Sequence, residues 1–118
     1  AGSMKPVRLG PEPLADLVEY LYSLGGGRDV DAARVQRGAT LFEDNNCDLC
    51  HERDGKTPGQ GPGLGGYLSV AWTRALLTDP ASPLYYGGKN DMTAFGKKLT
   101  AGELDSLAAY LQAQRQSR

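Results

Sequence analysis

Both cysteines and the single histidine of this 118-residue chain lie in one run of five residues, Cys47-Asp48-Leu49-Cys50-His51. The spacing Cys-x-x-Cys-His is typical of covalent haem attachment of the c type, in which two thiols form thioether bonds to the haem vinyl groups. The adjacent imidazole then lies beneath the iron as an axial ligand. The run therefore predicts one haem c, attached through Cys47 and Cys50 and ligated by His51.

Three other uses of a Cys-x-x-Cys pair fit this chain less well. A zinc site commonly takes four ligands, from two such pairs or from one pair with distant histidines, and the sequence contains no second pair. A thioredoxin-like redox pair follows a strand in a βαβ pattern, which the sequence lacks. A disulfide between these cysteines would close too short a loop to stabilise the fold much.

The length and charge of the chain limit its size and its partners. A chain of 118 residues suits one small domain. The formal net charge of −1 gives no electrostatic attraction to nucleic acid or to an anionic membrane, and no apolar stretch is as long as a membrane-spanning helix. With 16 glycines the apolar core is thin, and a buried haem would enlarge it by giving the helices an apolar body to pack on.

The apolar residues recur with helical spacing and do not alternate with period two, so the predicted fold is all-α. The first predicted helix covers Glu12–Leu24 and is followed by a joint of three glycines. The second covers Asp31–Asp44 and contains Gly38, which costs about 1 kcal/mol inside a helix and therefore indicates the close approach of another backbone. A short third helix covers Val70–Leu77, and the last begins with a capping box at Thr100.

The first and last predicted helices share a spacing pattern. Both read Leu-x-x-Leu-x-x-Tyr-Leu, from Leu14 to Leu21 and from Leu104 to Leu111. Amphipathic helices share such a spacing by accident as readily as by common origin, so both interpretations stay open.

Met92 is the candidate for the second axial ligand of the iron. The chain has no second histidine, and its other methionine, Met4, belongs to a segment interpreted below as a cloning remnant. A thioether is a soft, neutral ligand that raises the reduction potential of a haem. The alternative is that Met92 fills the core, which its polar neighbours Asp91 and Thr93 disfavour.

Four further residues are candidates for contacts with the haem or with its ligand. The carbonyl of Pro62 is a candidate acceptor for the N–H of His51, because a ligating imidazole usually donates its other N–H group. The alternative for Pro62 is a plain turn residue. Tyr67, Trp72 and Arg74 are candidates for hydrogen bonds to the haem propionates, and for the two aromatic residues an ordinary core position is the alternative.

These features resemble the class I c-type cytochromes over about residues 30–115. The resemblance rests on the run Cys47–His51, on Gly61–Leu64 in the proximal loop, on Asp91–Gly96 at the distal side and on the final helix. The resemblance implies thioether bonds at Cys47 and Cys50, His51 as the proximal ligand, Met92 as the distal ligand and Pro62 as the acceptor for the N–H of His51.

The resemblance also implies a helix crossing. In this family the first and last helices of the domain cross at a glycine and an aromatic residue. Gly38 and Phe42 against Tyr110 fit that crossing, which would account for a glycine inside a helix. Thr93 departs from the family pattern, which often has proline there, and this weakens the argument for the distal loop.

The chain is predicted to divide into three parts. Residues 1–4 are interpreted as an expression remnant, residues 5–28 as an N-terminal helix with a glycine linker, and residues 29–118 as a cytochrome c domain with three to four main helices around the haem. Members of this family often occur in tandem or fused to quinol-oxidising cytochrome b-type subunits. Residues 5–28 are therefore predicted to be the last helix of a preceding cytochrome domain, whose apolar face packs on the remaining domain, pairs with a second chain or stays partly exposed.

The function predicted on these grounds is that of a single-electron carrier, not of an enzyme. It would work in a respiratory chain on the periplasmic or another extracytoplasmic side, in a full-length protein tethered to a membrane. The expected partners are redox proteins, including a quinol-oxidising complex or a terminal oxidase. One rival is a gas sensor or peroxidase with an open or displaceable distal site. The other is an interaction module that forms a homodimer through the N-terminal helix.

Overall fold

The computed structural model describes residues 4–114, apart from the side chain of Lys89. Within these residues it contains helices and no strand, which confirms the all-α prediction, and none of its helices is long and apolar enough to cross a membrane. Residues 1–3 of the predicted expression remnant and residues 115–118 of the predicted cytochrome domain lie outside the described residues. The helices are α1 (Pro11–Leu24), α2 (Ala32–Asp44), α3 (Val70–Thr78) and α4 (Ala101–Ala113), with short 3₁₀ turns at Cys47–Leu49 and Gly87–Lys89.

Local capping signals start the helices close to the predicted residues. α1 begins with Pro11, which lacks a backbone N–H. At the first position of a helix this costs nothing, because an N–H there would have no intrahelical acceptor. The side chain of Asp31 accepts hydrogen bonds from two backbone N–H groups in the first turn of α2, at 3.0 and 3.1 Å, and that of Ser69 accepts one at the start of α3. Thr100 and Glu103 form the predicted capping box of α4.

α1 and α2 form a helical hairpin that holds the main apolar cluster. Leu17, Tyr20 and Phe42 are buried together, and the Tyr20 and Phe42 rings meet edge to face with centroids 5.5 Å apart. Gly38 is the point of closest approach, because a Cβ atom there would lie 2.1 Å from the carbonyl oxygen of Asp16. The predicted close approach at this glycine is therefore present, and its partner is α1.

The predicted crossing of Gly38 and Phe42 with Tyr110 is wrong in this structure. α2 and α4 make no contact within the described residues, and Tyr110 is 62% exposed. The helix on Gly38 and Phe42 is α1, whose Tyr20 has the same place in the shared Leu-x-x-Leu-x-x-Tyr-Leu pattern as Tyr110 in α4. Because both helices carry the same apolar face, the pattern alone does not decide which one covers α2.

Ion pairs favour α1 over α4 as the partner of α2. The carboxylate of Asp16 accepts hydrogen bonds from Arg34 Nη1 at 3.1 Å and from Arg37 Nε at 3.0 Å, and Glu12 pairs with Arg34 at 2.8 Å. The hydrogen bond from Arg37 is the main cause that lowers the pKa of Asp16 below its usual 3.8. In the shared pattern the position of Asp16 corresponds to Ser106 in α4, which cannot pair with either arginine.

The two helices that share the pattern bury different sides of it. α4 packs on α3 and buries Leu104 and Ala108, while its Tyr110 is exposed. α1 packs on α2 and exposes Leu14 and Val18, which correspond to Leu104 and Ala108 of α4. Of the three fates foreseen for the N-terminal helix, its inner face packs on the domain. Pairing of its exposed outer face with a second chain stays a prediction.

Candidate haem c site

A tight turn after α2 carries the Cys-x-x-Cys-His run. The turn is preceded by Asn46, which adopts the left-handed conformation at φ 61°, a region that asparagine visits more readily than most residues. The backbone N–H groups of Cys50 and His51 both donate to the carbonyl of Cys47, at 3.2 and 3.0 Å. Two thiols and an imidazole are thereby presented by a single turn of backbone.

The imidazole of His51 is half-buried and oriented by the following loop. Its Nδ1 atom lies 2.8 Å from the carbonyl oxygen of Pro62. Because a carbonyl oxygen only accepts, Nδ1 is the donor, and in the neutral ring this leaves Nε2 with the lone pair that can bind a metal. A ligating histidine is usually oriented in this way by its second nitrogen, so the hydrogen bond expected from the sequence is present in the structure.

Two glycines let this loop pass close to the run. A Cβ atom at Gly61 would lie 2.7 Å from Cε1 of His51, and one at Gly59 would lie 2.7 Å from the carbonyl oxygen of Cys50. The backbone N–H of Gly61 donates to that same carbonyl at 2.8 Å. Any larger residue at these positions would push the loop away from His51 and Cys50.

The two cysteines are free thiols in different surroundings. Cys47 is half-buried and packs against the cluster of Leu17, Tyr20 and Phe42, whereas Cys50 is exposed. Burial raises the pKa of the Cys47 thiol, so its surroundings favour a neutral sulfur. A thioether is also neutral, so the burial of Cys47 is compatible with covalent attachment.

Tyr67 and Trp72 form an aromatic cluster behind the loop, together with Tyr85. The ring centroids of Tyr67 and Trp72 are 4.7 Å apart, and those of Trp72 and Tyr85 are 5.1 Å apart. The indole N–H of Trp72 donates to the carbonyl of Gly63 at 3.1 Å, and Arg74 pairs with Asp105 of α4. These partners are protein groups, and the contacts of Tyr67, Trp72 and Arg74 with haem propionates stay predictions.

Met92 lies in an irregular segment between the second 3₁₀ turn and α4. Its side chain is 42% exposed, and its backbone N–H donates to the side chain of Asn90 at 2.9 Å. Just beyond it, the N–H groups of Phe95 and Gly96 donate to carbonyls at the end of α3, at 2.9 and 3.2 Å. The segment is thus anchored on α3, and ligation of iron by Met92 stays a prediction.

These observations fit a haem held by covalent bonds to the protein. Among residues 4–114 no group of three or more His, Cys, Asp or Glu side chains is placed to hold a metal ion. The donor set is instead two cysteine thiols beside one imidazole whose Nε2 is available, which is what covalent haem attachment requires.

The sequence identified Gly61 only as part of the proximal-loop pattern Gly61–Leu64, and it predicted neither a role for Gly59 nor the contact of Gly61 with the His51 ring. Their spacing of two residues, just after the Cys-x-x-Cys-His run, is the signal that could have found them. The contacts of Arg53 with α1 and α2 have no signal in the sequence.

Comparisons with known proteins agree with this site. Residues 33–111 match the family model described as cytochrome c oxidase, cbb3-type, subunit III. The cbb3-type cytochrome c oxidase subunit CcoP of Cereibacter sphaeroides is 31% identical over 102 residues, which cover 83% of this chain and 33% of that relative. The chain thus spans about a third of the length of this relative, and no solved structure was found to match it. The chain therefore belongs to the family of subunit III of cbb3-type cytochrome c oxidases and is a monohaem c-type cytochrome domain with a covalent haem c.

Proposed function

We propose that this domain is a single-electron carrier with His51 and Met92 as axial ligands. The observation that carries the proposal is the hydrogen bond of 2.8 Å from His51 Nδ1 to the Pro62 carbonyl, which leaves Nε2 available for the iron. When bound, haem c supplies an iron that accepts one electron and later gives it up. To carry single electrons, the domain needs this change of iron charge and a protein structure that rearranges little during it.

The residues around the run would keep that movement small. Cys47 and Cys50 would hold the haem at two covalent bonds. The Pro62 carbonyl fixes the plane of the His51 ring, and Gly61 lets the loop pack on this ring. The buried Trp72 ties α3 to the same loop through Gly63. The axial imidazole is therefore held from several sides, which favours electron exchange with little rearrangement.

The parent protein and its partners are inferred from the comparisons. The relative is named as a subunit of a cbb3-type cytochrome c oxidase. We therefore place this domain in a respiratory electron-transfer chain, delivering electrons to a terminal oxidase or receiving them from a quinol-oxidising complex. Its side of the membrane would be the periplasm or an equivalent compartment, with a membrane tether elsewhere in a longer protein. Residues 5–28 as the remnant of a preceding domain, and a homodimer through α1, stay predictions.

The decisive experiment compares Met92→Ala with the wild-type protein by visible and near-infrared spectroscopy. We expect the wild-type protein to be low-spin, with the sulfur-to-iron charge-transfer band, and the variant to lose that band because its sixth ligand is gone. Met4→Ala is the matched control, since it removes the other methionine, which is exposed and far from the run in sequence. A wild-type spectrum that is high-spin, or that Met92→Ala leaves unchanged, would contradict this ligation.

A ligand-binding function is the second candidate, because the segment that carries Met92 is irregular and departs from the family pattern at Thr93. The binding of carbon monoxide to the reduced protein distinguishes a ligand-binding function from electron carriage. Rapid, complete binding would favour a gas sensor or peroxidase with a displaceable distal ligand. Slow or absent binding favours the electron carrier.

A further inference from the structure

Arg53, two residues after His51, links the haem-binding run to both helices of the hairpin. Its Nη1 donates to the hydroxyl of Tyr20 in α1 at 3.0 Å. Its guanidinium carbon lies 4.9 Å from the centroid of the Phe42 ring in α2, and its Nη2 is 3.6 Å from the carboxylate of Glu43. One cation thus binds a hydroxyl, an aromatic face and a carboxylate on two different helices.

The end of α1 makes two more contacts with the loop that orients His51. The carbonyl of Leu24 accepts a hydrogen bond from the N–H of Gly66 at 2.9 Å. Gly25 is buried so tightly on this loop that a Cβ atom there would lie 2.4 Å from the carbonyl oxygen of Tyr67. Leu64 of the loop and Cys47 of the run also pack against the Leu17, Tyr20 and Phe42 cluster. α1 is therefore one wall of the haem-binding region.

We propose that Arg53 is a positioning residue that couples the docking of α1 to the redox properties of the haem. The proposal rests on the proposed function. Tyr20 holds the guanidinium against Phe42, so the docking of α1 on the domain sets where this positive charge lies relative to the His51 segment. α1 would then influence the reduction potential of the haem as well as stabilise the fold.

The sign of the effect follows from charge. Oxidised iron carries one more positive charge than reduced iron, so a nearby fixed cation favours the reduced state and raises the reduction potential. The Arg53 side chain is 32% exposed, so water screens it only in part. Without the Tyr20 hydroxyl only Phe42 and Glu43 of α2 hold the guanidinium, so it is freer to move towards solvent, where screening is stronger, and we expect the potential to fall.

The test is the midpoint potential of the haem-loaded protein and four variants. We expect Arg53→Gln to lower the potential most, since it removes the cation, and Arg53→Lys to lower it less, since it keeps the charge without the planar fork. Tyr20→Phe keeps Arg53 but removes its acceptor, so we expect a downward shift smaller than that of Arg53→Gln. Tyr22→Phe is the matched control, because the Tyr22 hydroxyl on the same helix bonds Asp29 in the hairpin loop; its potential should equal that of the wild type.

The variant Arg34→Gln tests whether the shifts in potential come only from a loss of stability. Arg34 pairs with Glu12 and Asp16 at the other end of the hairpin, so this variant should be less stable. It leaves the hydrogen bond between Tyr20 and Arg53 in place, so the folded protein should keep the wild-type potential. Equal potentials in the wild type, Tyr20→Phe and Arg53→Gln would overturn the positioning role. If Arg53→Gln does not fold, Tyr20→Phe and Arg53→Lys decide alone. A wild-type protein without a reversible midpoint would instead count against the proposed function.

Discussion

At the scale of single residues, the haem site depends on hydrogen bonds and close contacts that leave no room for substitution. The Pro62 carbonyl determines which nitrogen of His51 is protonated. Gly61 lies against the His51 ring because it has no side chain. The chemistry of the Cys-x-x-Cys-His run is therefore completed by backbone groups of a loop that begins several residues later.

We predict that Gly61→Ala disturbs the axial ligand. The new Cβ would lie 2.7 Å from the His51 ring, so ring and loop must separate, at a cost of about 1–3 kcal/mol in the free energy of unfolding. Thermal unfolding and the visible spectrum of the haem-loaded protein measure both effects. Gly88→Ala is the control, since its Cβ would meet no atom within 4 Å. Equal stability and equal spectra in the two variants would contradict the prediction.

At the scale of elements, the structure is two helix pairs, α1 with α2 and α3 with α4. Helices α1 and α4 share one apolar pattern and use different sides of it. In α1 the buried side is that of Leu17 and Tyr20, and in α4 it is that of Leu104 and Ala108. Ion pairs select the partner of α2, because α1 carries Asp16, which pairs with Arg34 and Arg37 of α2.

We predict that Gly38→Ala separates α1 from α2. Its Cβ would lie 2.1 Å from the Asp16 carbonyl oxygen and 2.6 Å from Tyr20 Cβ, and a backbone cannot yield as a flexible side chain can. The loss in the free energy of unfolding should be about 1–3 kcal/mol, measured by denaturant titration. Gly102→Ala in α4 is the matched helical control, because its nearest atom is 4.0 Å away. It should stabilise by up to about 1 kcal/mol, and a similar gain in Gly38→Ala would refute the close approach.

At the scale of the whole molecule, acid stability reflects carboxylates that are held ionised in the folded state. Hydrogen bonds from Arg37 lower the pKa of Asp16 below its usual 3.8, and those from Thr57 and Lys56 lower the pKa of Asp54 to about 2. A carboxyl group whose pKa is lower in the folded state stabilises the fold above its unfolded pKa. That contribution is lost as the pH falls through the folded pKa.

We predict that Asp16→Asn destabilises the protein at neutral pH and that the difference from the wild type shrinks in acid. Well above the unfolded pKa of about 3.8 the wild-type carboxylate is ionised in both states, and its ion pairs with Arg34 and Arg37 count fully. As the pH falls from there through the lower folded pKa, protonation removes the same charge that the substitution removes. Denaturant unfolding from pH 7 down to pH 2 measures the difference, with Asp44→Asn at the exposed end of α2 as control. A difference that is constant over this range would contradict the prediction.

The helices and the haem attachment follow from local signals. Apolar residues at helical spacing, the Asp31 and Ser69 caps and the Thr100 capping box each act within a few residues, so the chain itself predicts them. The Cys-x-x-Cys-His run carries its chemistry in five residues. The Pro62 acceptor was foreseen from the general need of a ligating imidazole for a partner.

The sequence by itself thus determined an all-helical domain with a covalent haem c, because both are written in short-range patterns. Only the tertiary structure decided which helix covers Gly38 and Phe42, since α1 and α4 present the same apolar spacing and differ in the ion pairs they can make across space. It also decided the place of Arg53 between Tyr20 and Phe42. Contacts between residues distant in the chain depend on packing geometry and charge, which no local pattern specifies.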